Sequence, residues 1–341
     1  MSQPIVANRD TPHPVARAAA GRREAWLLHP SVEAGRRAFP IPKENPKADF
    51  LSMYSIQHWL ESCPQGYLGG TEYGHAPGES EPDLLITDAT IRDQAIGVTV
   101  QLVVGERCAL AASSGLINAA PDEGSKRYLA TQTLDEARHV EVFTQRLYDL
   151  GVKKTELENV IKERANPNLV KFAEILLEKV DKKDFVAGVV GQNIVLEGMA
   201  FTVFEMMYAG NDGVNPKFAH TLAGTIADER RHVGFGENRI GSLIKENPGR
   251  KPEIERMQRD MSYWMLATFA DSFRNQPARE ELRTLRESLS GYGAPKAKWH
   301  GADLTNLEPE EMERLLADTV LKEFKIRLGR IGLEYQTPAR P

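Results

Sequence analysis

The chain has 341 residues, of which 41% are hydrophobic and 27% charged, and its net charge at pH 7 is −5. These fractions exclude a collagen-like chain, a disordered chain and a disulfide scaffold. The slight acidity gives no indication of a nucleic-acid partner. Two cysteines, Cys63 and Cys108, are too few for a disulfide framework and fit a reducing compartment, so we expect a cytoplasmic protein.

The sequence predicts little regular secondary structure in the first part of the chain. Residues 1–49 are rich in proline, which predicts an extended N-terminal arm ahead of a single helical domain at 50–341. A short helix is expected at 50–61, and the glycines and prolines of 64–82 indicate a loop.

Helical periodicity dominates the rest of the chain, and no alternation of apolar and polar residues indicates a sheet. The predicted helices span 90–118, 122–151, 153–165, 168–180, 183–210, 216–246, 251–275, 278–290 and 309–328. The predicted fold class is therefore all-α. We expect a four-helix core at about 90–246, with accessory C-terminal helices at 251–328.

Two of the predicted helices are apolar nearly all round. Between 94 and 118 the only charged residues are Glu106 and Arg107, and between 185 and 208 they are Glu197 and Glu205. Such a helix is either buried in a bundle or spans a membrane. A charge at the bilayer centre costs roughly 2.5–3.5 kcal/mol. We therefore predict buried helices and no membrane partner.

The motif Asp-Glu-x-Arg-His occurs twice, at 135–139 and at 228–232. Its Glu and His are three residues apart, so both face the same side of a helix and can bind one metal ion. Two such pairs, with one carboxylate from each of two further helices, form the dinuclear site of ferritin-like bundles. The predicted ligands are Glu106, Glu136, His139, Glu197, Glu229 and His232.

Carboxylates with only two imidazoles suit iron or manganese better than zinc or copper. We predict two iron ions, with manganese as an alternative at one position, and O₂ as co-substrate. Glu136 and Glu229 are expected to bridge the two ions. Glu106 with His139 would complete one ion, and Glu197 with His232 the other.

The repeated motif resembles that of the hydroxylase subunits of bacterial multicomponent monooxygenases, within the ferritin-like carboxylate-bridged di-iron superfamily. The resemblance covers about 90–246. It implies that Asp228 holds His139 and that Asp135 holds His232. It also implies that two arginines neutralise these buried acids, namely Arg138 and Arg231.

The chain departs from its relatives at three positions. The hydroxylases have Thr four residues after the third carboxylate, where this chain has Phe201 followed by Thr202; a π-bulge would turn Thr202 inward. Phe143 replaces the radical Tyr of ribonucleotide reductase small subunits. Thr225 stands where the arylamine N-oxygenases have a seventh ligand, a His.

Residues one turn from the ligands are expected to line a substrate pocket. Around Glu106 these are Leu102, Gly105, Ala109 and Leu110. Near the other carboxylates they are Asn193, Gly198, Phe201, Thr202 and Thr225.

The function expected from the sequence is that of a non-heme di-iron monooxygenase. It would hydroxylate or N-oxygenate a small organic substrate with electrons from a separate reductase or ferredoxin. One alternative is a di-iron or Mn/Fe oxidase related to ribonucleotide reductase small subunits, and another is a ferroxidase or iron-handling protein. A homodimer is a further expectation.

Overall fold

The computed structural model describes residues 78–274, 284, 287, 297–304 and 307–338. The predictions for the arm at 1–49, the helix at 50–61 and most of the loop at 64–82 lie outside the described residues. So does the helix at 278–290, apart from two of its residues.

The all-α prediction is confirmed. In chain order the helices are α1 (Asp83–Thr87), α2 (Ala89–Ile117), α3 (Glu123–Asp149), α4 (Leu157–Arg164), α5 (Pro167–Asp181), α6 (Phe185–Val189), a π-helix (Val190–Leu196), α7 (Glu197–Asn211), α8 (Pro216–Glu246), a 3₁₀ turn (Pro248–Arg250), α9 (Lys251–Arg274) and α10 (Pro309–Arg330). A two-residue hairpin pairs β1 (Lys298–Trp299) with β2 (Ala302–Asp303) in antiparallel fashion.

Side-chain caps fix where the core helices begin. The carboxylate of Asp88 accepts hydrogen bonds from two backbone N–H groups at the start of α2, and Asp122 does the same for one N–H of α3. Asn215 caps α8, whose first residue is Pro216. These residue types satisfy N–H groups that have no partner within the helix, and proline lacks the N–H in question.

Four long elements form the core of the bundle. Helix α2 lies along α3, and α7 lies along α8. Helices α5 and α9 pack outside α2 and the π-helix, while α10 packs on α7. The accessory C-terminal helices therefore cover the core.

The two apolar stretches are long and apolar enough to cross a membrane, at Ala89–Ile117 and Phe185–Asn211. In the structure, the most apolar part of the first stretch is 50% buried inside the protein, and that of the second stretch is 83% buried. Burial on most sides accounts for the composition of the second stretch, as in the central helices of a bundle, whereas the first stretch is half buried.

The second apolar stretch is not the single α-helix that its periodicity predicts. Its middle is the π-helix, which packs directly against α8. A Cβ at Gly236 of α8 would stand 2.4 Å from the Cβ of Asn193, so only glycine permits this approach.

Candidate metal centre

The structure brings the six predicted ligands together in the middle of the bundle. Each core element supplies at least one of them, and each residue is at most 4% exposed. Their ligand atoms form two groups, within each of which all atoms lie within 4.8 Å of one another. The first group is Glu106, Glu136, His139 and Glu229, and the second is Glu136, Glu197 and His232.

Two of the carboxylates divide their oxygens between the two histidines. The oxygens of Glu136 lie 3.3 Å from His139 Nδ1 and 3.3 Å from His232 Nδ1. The oxygens of Glu229 lie 3.4 Å from the same two nitrogens. Each carboxylate thus faces both halves of the centre, as a bridging ligand must.

The other two carboxylates each face one histidine. An oxygen of Glu106 lies 3.2 Å from Nδ1 of His139, and one of Glu197 lies 3.9 Å from Nδ1 of His232. Glu106 is thus paired with His139 and Glu197 with His232, as the sequence predicts for the two metal positions.

The outer nitrogen of each histidine meets an aspartate from the opposite motif. His139 Nε2 lies 3.2 Å from Asp228 Oδ2, and His232 Nε2 lies 3.2 Å from Asp135 Oδ2. These are the hydrogen bonds that the family resemblance implies. They leave both Nδ1 atoms turned towards the cluster, which fixes the orientation of the rings.

Two arginines join the aspartates across the helix pair. Arg231 lies 2.6 Å from Asp135 and 2.9 Å from Asp228, and Arg138 is also paired with both aspartates. Burial alone would favour the neutral acid, but the hydrogen bond with His232 and the two guanidinium charges lower the pKa of Asp135 to about 2. Asp135 therefore remains ionised.

Burial and mutual repulsion raise the pKa of two of the clustered carboxylates, although the histidines partly offset the effect. Burial, with the charges of Glu229 and Glu136, raises the pKa of Glu106 to about 8 against the lowering effect of His139. Burial and then the Glu229 charge also raise the pKa of Glu197 well above its usual range. Bound cations would remove this repulsion, because they favour the ionised carboxylates.

The residues present fit two metal ions. Glu136 Oε2, Glu229 Oε2 and His232 Nδ1 are buried, and none has a hydrogen bond of acceptable geometry among the described residues. A first-row metal ion lies about 2.0–2.2 Å from its oxygen and nitrogen ligands, which places neighbouring ligand atoms about 3 Å apart. The observed separations are close to this spacing, so the six side chains could hold one ion in each half.

Three buried carboxamides surround Glu197. One of them, Asn193, was predicted as a pocket residue, whereas sequence reasoning missed Gln132 and Gln192. A signal for both was available. Gln132 precedes Glu136 by four residues on the same helix face, and Gln192 interrupts an apolar run.

An apolar cavity of about 250 Å³ adjoins the cluster, and Glu106, Glu197 and Glu229 lie in its wall. Of the predicted pocket residues, Leu102, Gly105 and Ala109 line it. Helices outside the core complete it, through side chains that include Leu169, Met265, Phe269, Met312 and Leu316.

Several predicted pocket residues do not line this cavity, namely Leu110, Asn193, Gly198, Phe201, Thr202 and Thr225. The Phe201 ring instead lies 4.9 Å from the guanidinium of Arg327. The Thr225 hydroxyl donates to the carbonyl of Thr221. The π-helix precedes Glu197 rather than following it, so Thr202 continues a regular helix and points about 140° away from that ligand.

A buried ion pair contributes its arginine to the cavity wall. Arg146 lines the cavity, and its Nε lies 3.0 Å from an oxygen of Glu81. The guanidinium also donates to the Thr99 hydroxyl at 2.6 Å and lies 3.5 Å from the centre of the Phe218 ring. The charge of Arg146 is thus balanced within the protein.

No protein-family model and no curated protein matches the sequence. Similar solved structures exist. An R2-like ligand-binding oxidase with an aerobically reconstituted Mn/Fe cofactor is 14% identical, with a TM-score of 0.63, over 87% of this chain and 96% of that one. A structure of such an oxidase after photoconversion is 14% identical, with a TM-score of 0.63, over 86% and 95%. The likeness shows the ferritin-like fold of R2-type proteins.

Proposed function

We propose that this protein is an O₂-activating di-metal oxidase, with iron in both positions or with manganese in one. The observation that carries the proposal is the division of Glu136 and Glu229 between two histidines, which builds two adjacent ligand sets. The solved oxidases of the same fold carry an Mn/Fe cofactor, which favours an oxidase over the monooxygenase that the motif alone suggests.

When bound, two redox-active ions would supply the electrons that reduce O₂. The protein's own side chains provide the surroundings for that chemistry. Glu136 and Glu229 hold the two positions next to each other, while Asp135 and Asp228 fix the histidine rings. The mostly apolar wall of the cavity lowers the polarity beside Glu106, Glu197 and Glu229.

A finer version of the proposal is oxygenation of a small organic molecule held in the cavity. The support is that three of the carboxylates lie in the cavity wall, while most other lining side chains are apolar. A separate reductase or ferredoxin as electron donor, a homodimer and a cytoplasmic location also belong to this proposal.

The test is to load the metal-free protein with Fe(II), alone or with Mn(II), and to measure metal content and the optical spectrum before and after O₂ is added. Two metals per chain and an O₂-dependent absorption change are expected. Protein kept under argon is the control. A protein that binds fewer than two metals, or that builds a ferric mineral, would contradict the proposal. Isotopically labelled oxygen in an organic product would establish the finer version.

A further inference from the structure

The two terminal carboxylates differ in their hydrogen-bond partners. Among the described residues, Glu106 has one side-chain partner, Nδ1 of His139 at 3.2 Å, and that nitrogen belongs to the same ligand set. Glu197 accepts hydrogen bonds from three side-chain amides. The two halves of the centre therefore have the same types of ligand but differ in the side chains that hydrogen-bond to their terminal carboxylates.

The amide donors reach both oxygens of Glu197. Nε2 of Gln132 lies 2.7 Å from Oε1, and Nε2 of Gln192 lies 3.0 Å from the same oxygen. Nδ2 of Asn193 lies 2.9 Å from Oε2. All three donors are completely buried, so water does not compete for the carboxylate.

The amides are themselves held in place. Asn193 also donates to the side-chain oxygen of Gln132 at 3.1 Å and to the backbone carbonyl of His232 at 3.2 Å. Gln192 donates to the carbonyl of Ala109 at 3.1 Å. These bonds connect all four core elements, so the amides form a rigid cradle.

The π-helix is what presents two of these amides together. Gln192 and Asn193 are adjacent, and in a regular α-helix adjacent residues point about 100° apart. Here both side chains reach the Glu197 carboxylate. The absence of a Cβ at Gly236 lets Asn193 approach α8 closely enough to do so.

We propose that Gln132, Gln192 and Asn193 are positioning residues that fix Glu197 as a ligand of the metal beside His232. Glu106 has no such cradle, so it is the terminal ligand with the greater freedom to move. This inference rests on the proposed function, because it concerns the metals that the proposal places in the centre.

The experiment measures metal occupancy at the two positions separately. Crystals of the wild-type protein and of Gln192→Met are soaked in limiting Mn(II), and anomalous scattering gives the occupancy beside each histidine. Methionine keeps the size of the side chain and removes the donor. Hydrogen-bond partners of a metal ligand typically contribute 10–100-fold to metal affinity, so we expect a loss of that order beside His232. The loss beside His139 should be smaller, because Gln192 reaches the shared carboxylate of Glu136 only at 3.4 Å.

Gln145→Met is the matched control, since Gln145 lies on α3 and its amide donates an exposed hydrogen bond to Asp149 at 3.1 Å, away from the ligands. If Gln192→Met does not fold, Gln132→Met removes another donor to Glu197 and leaves the sequence of the π-helix unchanged. Equal loss at both positions, or no loss at either, would overturn the inference. Failure of the wild-type protein to bind a metal pair would instead overturn the proposed function.

Discussion

The two apolar stretches of the core have the same mean hydropathy, 1.4, and each carries one ligand glutamate near its middle. Helix α2 is regular throughout, and its Glu106 has one side-chain hydrogen-bond partner among the described residues, His139. The second stretch is interrupted by the π-helix, and its Glu197 lies in a cradle of amides. Two helices of similar composition thus carry different ligands: Glu106 has a single side-chain partner, and Glu197 is held by three amides.

The two stretches also differ in how closely they are packed. A Cβ at Gly97 or Gly105 of α2 would have no neighbour within 4 Å, and only near the end of that helix would one at Gly115 meet an atom closely, Val180 at 2.3 Å. In the second stretch a Cβ at Gly188 would stand 2.4 Å from Leu116, and its most apolar part is 83% buried against 50% for α2. Close packing fixes the positions of its side chains, and that is what an immobile ligand requires.

The largest effect is expected when the fixed ligand is removed. Glu197→Ala should lower the metal content from two ions per chain to one or none, because one of the ligands beside His232 is lost. Elemental analysis after gel filtration measures this. Glu205→Ala, which removes a half-buried glutamate from the same helix, should keep both ions. Two ions in Glu197→Ala would refute the assignment.

The next prediction concerns pH and the metal-free protein. Burial and neighbouring carboxylates raise the pKa of Glu106 to about 8, and that of Glu197 is also raised. Between about pH 4.5 and 8 the folded state therefore binds more protons than the unfolded state, so its free energy of unfolding falls as pH rises. Thermal unfolding from pH 5 to 8 should show a falling midpoint.

Metal-loaded protein is the control for this prediction. Protons compete with metal ions for the same carboxylates, so metal affinity should increase over the same pH range. A thermal unfolding midpoint that stays level or rises with pH in the metal-free protein would mean that the pKa values of Glu106 and Glu197 are not raised.

A smaller effect is expected when a methyl group is added at the close contact between α8 and the π-helix. Gly236→Ala places a Cβ against Asn193, and overpacking of this kind typically costs about 1–3 kcal/mol. Chemical denaturation measures the loss. Because Asn193 is pushed away from Glu197, metal binding beside His232 should weaken as well. Unchanged stability and affinity would show that the contact can relax.

The smallest effect is expected on α2. Gly105→Ala meets no atom within 4 Å and replaces glycine within a helix, which should stabilise the fold by about 0.5–1 kcal/mol. The new methyl group projects into the cavity, so binding of a cavity ligand should weaken while metal content stays the same. A loss of stability would show that α2 is packed as tightly as the second stretch.

The sequence predicted the parts of the centre that depend on periodicity within one helix. The spacing of Glu136 and His139 places both on one face, and its repetition in α8 indicates a second pair. The solitary acids of two apolar helices then complete the set. The aspartate–histidine hydrogen bonds came from the family resemblance.

The remaining features depend on packing between distant elements. The π-helix has the composition of an ordinary buried helix, and its close approach to α8 depends on Gly236, more than forty residues later. The cavity walls come partly from α9 and α10, through Met265 and Met312. No local pattern in the sequence indicates which side chains these helices turn towards the metal centre.

The ion pair of Arg146 and Glu81 gives the cavity a preference for the charge of its occupant. Because the guanidinium is already neutralised, a molecule with a carboxylate that lies beside Arg146 finds this cation paired and gives up its hydration without compensation. Neutral molecules are therefore favoured beside this pair. Glu81→Gln would reverse this preference, since an acidic guest would then provide the anion that Arg146 has lost. A single buried carboxylate thus neutralises the arginine in the cavity wall.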